Sequence, residues 1–331
     1  MRILVVELLG GLGDVLLALP AISALSRTHG VPVDVVTFTP GDVLLRHHPA
    51  VGRVVATSDH AEGAPRRLVA QVLREGAYDL VVTTTAYDGI ADLCAGAAPR
   101  SATNLWRGAP DGELIDRRFL SILADEGVVA PAYADEPLRV VLHEGERAQG
   151  RRVLDGLASR PAVVLVPRSG MRVKEWGDGR YAALAAELRA QGLDVLMSAL
   201  DPAPALAPYA RLPPGDLRAL AAVLAAVGER GGAVVGGDTG PVRLASAVGT
   251  PAVALFGPTS AGRYGLSGAN AVNLQGWPGC PVRLPSAITE QECWWSARCP
   301  YATTPRCLDD LSLPAVLAAL RSVLPTPSPA S

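Results

Sequence analysis

Aromatic residues are scarce in this chain, at 5% of 331 residues with only three Phe. Core volume must therefore come from Leu, Val and Ala. A surplus of basic charge is also missing: 30 Lys and Arg stand against 32 Asp and Glu, for a net charge of −2. That balance provides no positive field for a nucleic-acid backbone and excludes such a partner. No apolar run is long enough to span a bilayer. Arg2 precedes an apolar stretch, but Glu7 and Asp14 interrupt it and no clean cleavage site follows, so the start reads as a buried strand and not as a signal peptide. These absences lead us to expect a cytoplasmic protein, with peripheral contact at the inner face of the membrane left open.

What is present supports large cores. Hydrophobic residues reach 49% and charged residues only 19%, and the length suggests two domains. The apolar run at 3–8 predicts a strand covered on both faces. A helix capped by Asp14 follows through about residue 27, with Val15, Leu16, Leu19, Ile22 and Leu25 on its apolar face. Strands are expected at 33–38, 53–56 and 80–84, a helix at 68–74, and a closing segment at 139–142. Residues 143–160 read as a linking helix. The alternation then resumes, with strands at 162–166, 194–199, 233–235 and 252–256 and helices at 179–191 and 216–227. Alternating strands and helices imply parallel sheets with right-handed crossovers, whose ligands sit beyond the carboxyl ends of the strands. Residues 313–324 form a last amphipathic helix, and 325–331 read as a loose tail.

Three segments carry candidate chemistry. The first is the turn Gly10-Gly11-Leu12-Gly13-Asp14. It is either a tight turn with a capping aspartate or a turn that presents a carboxylate able to take a proton from a hydroxyl. It is not a dinucleotide fingerprint, because Leu16 occupies the place of the third glycine. The second follows the strand at 162–166, where Arg168, Arg172 and Lys174 lie within seven positions. This is either a solvated loop or an anion site. The third is Gly236-Gly237-Asp238-Thr239-Gly240-Pro241, a strand-to-helix turn whose free N–H groups favour an anion such as a diphosphate.

In that order, Leu12-Gly13-Asp14-Val15 with Leu19-Pro20-Ala21, the Lys174-Glu175-Trp176 segment, and Asp238-Thr239-Gly240-Pro241 running to Leu255-Phe256-Gly257-Pro258-Thr259 resemble the signatures of the glycosyltransferase family 9 heptosyltransferases. The resemblance spans most of the chain. It implies the α/β class and a GT-B architecture, two Rossmann-like domains with parallel sheets facing a central cleft. The first, 1–150, would bind the acceptor. The second, 151–311, would bind the nucleotide sugar and include the Cys-rich segment 280–307, with a helix at 312–324 returning to the first domain. By resemblance, Asp14 is the catalytic base and Lys174 contacts the donor phosphates. Gly13, Arg168, Ser169, Asp238, Thr239, Gly240, Pro241 and Arg243 complete the expected donor site, with Met197 and Asp201 near the nucleoside.

Two departures stand out. Arg243 replaces a histidine common in the family, which leaves it either aiding the phosphates or pointing to solvent. Glu7 stands where a basic residue is frequent. Cys280, Cys293, Cys299 and Cys307 form a C-x12-C-x5-C-x7-C series beside Trp294 and Trp295. A structural zinc or iron site, free thiols and disulfides all remain open, since the spacing lacks C-x2-C knuckles. The tryptophans read as packing or as acceptor stacking, and His47 and His48 as surface residues.

The expected activity is inverting, metal-independent transfer of a heptose or related sugar from an ADP-activated donor to a hydroxyl of a glycan, lipid-linked or other glycoconjugate acceptor, as in lipopolysaccharide biosynthesis. No cofactor is required for that chemistry. The alternatives are a nucleotide-sugar epimerase and a non-catalytic sugar-nucleotide binding protein on the same scaffold.

Overall fold

The computed structural model describes residues 1–108, 112–198, 203–283, 291–303 and 306–325. Asp201 and the tail from 326 onward lie outside the described residues. The chain divides into two compact units, Met1–Val141 and Leu142–Ser331.

The first unit holds strands β1 (Ile3–Glu7), β2 (Val33–Phe38), β3 (Val51–Thr57), β4 (Leu80–Thr83) and β5 (Arg100–Ala102), in sheet order β3-β2-β1-β4-β5. The second holds β6 (Ala162–Val166), β7 (Asp194–Met197), β8 (Ala210–Arg211), β9 (Ala233–Gly237), β10 (Ala252–Phe256) and β11 (Ala271–Gln275), in order β11-β10-β9-β6-β7-β8. Every pairing is parallel. In each sheet the chain starts in the middle, builds outward to one side and then returns to the other. The direction reverses between β1 and β4 and between β6 and β9. Such switch points open crevices at the carboxyl ends of the strands, where ligands of doubly wound sheets bind.

Burial explains the strands. All five residues of β1, β6, β9 and β10 are buried, as strands covered on both faces require. The helix Leu12–His29 is buried without a break from Val15 to Leu25, not along one stripe as its spacing suggests. Its N-cap is Gly11, and Asp14 is the third helical residue. Sequence periodicity missed the helix Ile115–Asp125 and the edge strands β5 and β11. No strand forms at 139–142. His48 is buried, not on the surface, and its Nδ1 lies 3.3 Å from the Ala50 amide, which donates to it.

Two helices depart from expectation. Glu144–Asp155, read as a link, packs closely on Leu217–Glu229 of the second unit. Leu313–Val323, expected to return to the first domain, belongs to the second unit. Its Val316, Leu317 and Leu320 join the core built by Val163, Leu165, Val235 and Leu255. Its apolar face had no address in the sequence, and the uncovered side of β9, β10 and β11 supplied one.

Gly150 sets how closely Glu144–Asp155 approaches its neighbour: a Cβ there would lie 2.1 Å from the Ala222 carbonyl oxygen. Alanine ordinarily stabilises a helix interior by about 1 kcal/mol over glycine. Here the clash reverses the sign. Gly150→Ala is expected to lower the melting temperature, at a cost of about 1–3 kcal/mol for overpacking; a melting temperature equal to or above wild type would show that the two helices separate freely.

Candidate functional site

Each unit carries a polar cluster at its own switch point. In the first, β1 ends at Glu7, a carboxyl only 1% exposed. It accepts from the Leu9 amide at 3.1 Å and from the Thr37 hydroxyl at 3.1 Å. Burial, and then the negative charge of Asp14, push its pKa up to about 8 against the relief of those two bonds. Glu7 is therefore neutral at pH 7 and lays no second charge beside Asp14. Asp14 itself is half-buried, and its Oδ2 accepts from the amide of the N-cap residue Gly11 at 2.9 Å. The bland reading of this aspartate is thus present, and it also fixes the carboxylate at the mouth of the β1 turn. A Cβ on Gly13 would meet nothing within 4 Å, so the space in front of the turn is open.

In the second unit, β6 and β9 each deliver one member of an ion pair. Lys174 Nζ lies 2.8 Å from Asp238 Oδ2, with both side chains 15% exposed or less. The Thr259 hydroxyl donates to the same oxygen at 2.9 Å. Arg243 approaches the other carboxylate oxygen at 3.8 Å. Burial alone would raise the Asp238 pKa, but Lys174 and Arg243 outweigh it and hold the group below its ordinary value. The strand and the loop touch closely here: a Cβ on Gly237 would lie 2.5 Å from the Lys174 carbonyl oxygen. Gly237 is needed for that approach and not for a left-handed backbone. Trp176 anchors the loop from below, its Nε1 donating to the Leu311 carbonyl at 2.9 Å.

Several other expected donor residues belong to the same unit. Thr239 caps the helix Gly240–Ala247, with Pro241 in its first turn, and its buried Oγ1 has no partner. Arg168 is committed to Asp178, with contacts of 2.6 and 3.2 Å, and stands 3.6 Å from Glu175. The Ser169 amide donates to Glu175, and its hydroxyl accepts from the Met171 amide. Arg243 is buried and does not point to solvent. It donates to the Tyr264 carbonyl and, at 3.3 Å, to that of Gly265, tying a neighbouring loop to the site. Met197 is wholly buried in the second core.

The Cys segment sits close by. All four of its cysteines are free: Cys280, Cys293 and Cys299 are half-buried, and Cys307 is buried. Burial raises the Cys293 thiol, with further contributions from Cys280 and Cys299, and pushes Cys307 up to about 12. The thiols are neighbours, yet among the described residues no three His, Cys, Asp or Glu side chains are grouped to hold a metal. As arranged they do not fit a zinc or iron ion. Arg283 holds the segment to the signature loop, donating to the carbonyls of Gly257 at 3.1 Å, Gly276 at 2.7 Å and Trp277 at 2.6 Å. Thr259 and Arg283 had no assigned role in the sequence. The polar Thr directly after the Gly257-Pro258 bend was the signal for the first, and nothing local signalled the second.

Residues 132–280 match the sequence model of glycosyltransferase family 9 (heptosyltransferase). Three solved structures align over nearly the whole chain. A glycosyl transferase family 9 protein from Veillonella parvula has 19% identity over 97% of this chain and 96% of its own, with TM-score 0.76. E. coli ADP-heptose LPS heptosyltransferase II has 22% identity over 98% of each chain and TM-score 0.68. E. coli heptosyltransferase WaaC with ADP has 20% identity over 98% of this chain and 100% of its own, with TM-score 0.67. Among the curated proteins no sequence matches. The fold is the α/β, GT-B type that the motifs implied. No described helix is long and apolar enough to cross a membrane.

Glu7 provides a pH test. Its folded pKa is raised from 4.5 to about 8, so its contribution to stability is complete below pH 4.5 and is lost as pH rises through 8. Glu7→Gln keeps the shape without the charge. It is expected to melt close to wild type at pH 4.5 and several degrees higher at pH 9; an equal difference at both pH values would mean Glu7 ionises freely.

Proposed function

We propose that this heptosyltransferase-like glycosyltransferase of family 9 transfers a heptose, or a related sugar, from an ADP-activated donor to a glycoconjugate hydroxyl with inversion. The observation that carries the reading is the Lys174–Asp238–Thr259 cluster at the β6/β9 switch point, beside a helix N-terminus. Lys174 is held in place by Asp238, so its ammonium is preset for an anion and needs little reorganisation when charge develops. The first-turn amides of Gly240–Ala247 add partial positive charge. The preference for ADP follows from the relatives, one solved with ADP and one described as an ADP-heptose enzyme.

In the proposed reaction, Asp14 accepts the proton of the acceptor hydroxyl as that oxygen attacks the anomeric carbon. The bond from this carbon to the diphosphate oxygen breaks, and its electron pair leaves with ADP. One displacement inverts the centre. Lys174 and the helix amides stabilise the departing diphosphate. Glu7, neutral at pH 7, keeps the first cluster from carrying two negative charges. No step is routed through a metal. The acceptor class we favour is the inner core of lipopolysaccharide, which places the enzyme in the cytoplasm at the inner membrane face.

Asp14→Asn is expected to lower turnover by about 100-fold or more, the size of a general-base contribution, while ADP binding by calorimetry stays within about twofold. Turnover close to wild type would remove Asp14 from the role. A thermal-shift panel addresses the donor: ADP-sugars should stabilise the chain, and equal stabilisation by UDP- or GDP-sugars would overturn the ADP assignment.

A further inference from the structure

Trp294 reaches the donor cluster from outside the family signatures. It lies in the short helix Glu292–Ser296, within the Cys-rich segment, and is 6% exposed. Its ring stands 5.4 Å from Lys174 Nζ, within the range of a cation–π contact. The exposed neighbour Trp295 makes the contrast plain, at 62% exposure. A packing tryptophan normally satisfies its indole N–H when buried, as Trp176 does on Leu311. Trp294 does not: its Nε1 is buried and without an acceptor among the described residues.

It is not alone. The Thr239 hydroxyl, next in sequence to Asp238, is also buried without a partner, and so is Gln291 Oε1, one helical turn before Trp294. The other end of the Gln291 amide is used, donating to the Pro258 carbonyl at 2.8 Å. Unpaired buried polar groups are rare in folded proteins and call for a reason. Here the unpaired indole N–H belongs to the ring beside the Lys174 ammonium, and the unpaired hydroxyl to the residue that follows the carboxylate partner of that ammonium. Both are donors that an oxygen-rich anion would satisfy.

We propose that Trp294 is a donor-binding residue, its ring covering the Lys174 ammonium and its indole N–H donating to a diphosphate oxygen of the bound nucleotide. This rests on the nucleotide-sugar reading above. It also gives the Cys-rich segment a purpose. That segment, fastened by Arg283 to the signature loop, carries the tryptophan to the phosphates.

The test is calorimetry on the full chain with ADP and with adenosine, for wild type and Trp294→Phe. Phenylalanine retains an aromatic face over Lys174 and removes the N–H. ADP affinity is expected to fall about tenfold, in the range for a hydrogen bond to a charged group, with adenosine affinity unchanged. Unchanged ADP affinity would overturn the assignment. So would an equal loss for ADP and adenosine, which would mark a packing defect. If Trp294→Phe does not fold, indole N–H spectra of 15N-labelled wild type decide. ADP, and not adenosine, should shift the Trp294 resonance, identified by substituting the other four tryptophans in turn, and no shift there overturns the proposal. Absence of ADP binding by wild type is a separate result: it rejects the nucleotide-sugar reading, and the Trp294 assignment falls with it.

Discussion

The second unit is organised around one buried carboxylate. Asp238 sits at the end of a strand covered on both faces, where an unpaired charge would be expensive. Three groups from three parts of the chain meet that demand: Lys174 from the loop after β6, Thr259 from the loop after β10, and Arg243 from the following helix. The same contacts that make Asp238 tolerable bring these segments together. Removing the carboxylate would leave a lysine and an arginine facing each other with little exposure, so the cluster stands or falls as a unit. This is why the residues bearing on an anion also hold the local fold.

The first unit meets the same difficulty in another way. Glu7 also lies at the end of a central strand, but among the described residues no cation pairs with it. Its two bonds come from a neutral hydroxyl and an amide, and the charge is removed by a proton. A basic residue at this position would favour an anionic group nearby. The neutral acid here offers hydrogen bonding without that field. Two switch points of equivalent topology are therefore electrostatically unlike: one sets two cations around a carboxylate, and the other keeps the single charge of Asp14 beside a protonated acid.

Much of this was readable from the chain. Continuous apolar runs marked β1, β6, β9 and β10, and the switch from strand to helix located Asp14 and Asp238 at carboxyl ends. What escaped reading was set by distance in sequence. The strand β11 is only half-buried along its length, so it carries no strong apolar signal. The helix Leu313–Val323 showed its amphipathic face but not the surface that covers it. Whether Arg243 aided the phosphates or pointed to solvent was left open, because its hydrogen bonds go to backbone carbonyls, which no side-chain pattern reveals. The Asp178 partner of Arg168, ten positions on, was likewise not signalled by the loop that carries the arginine. The cysteines were visible as a series, but spacing alone could not say whether their sulfurs converge on a point.

The all-parallel pairing of both sheets bears on how the chain is made. A central strand such as β6 finds β9 only after β7, β8 and the intervening helices have been synthesised. Local hairpins, which would let a nascent segment protect itself at once, play no part in either sheet. Pairings of high sequence separation form slowly and leave apolar edges bare meanwhile. During translation, β6 can pair with β7 on one side while its other edge stays bare until β9 is made.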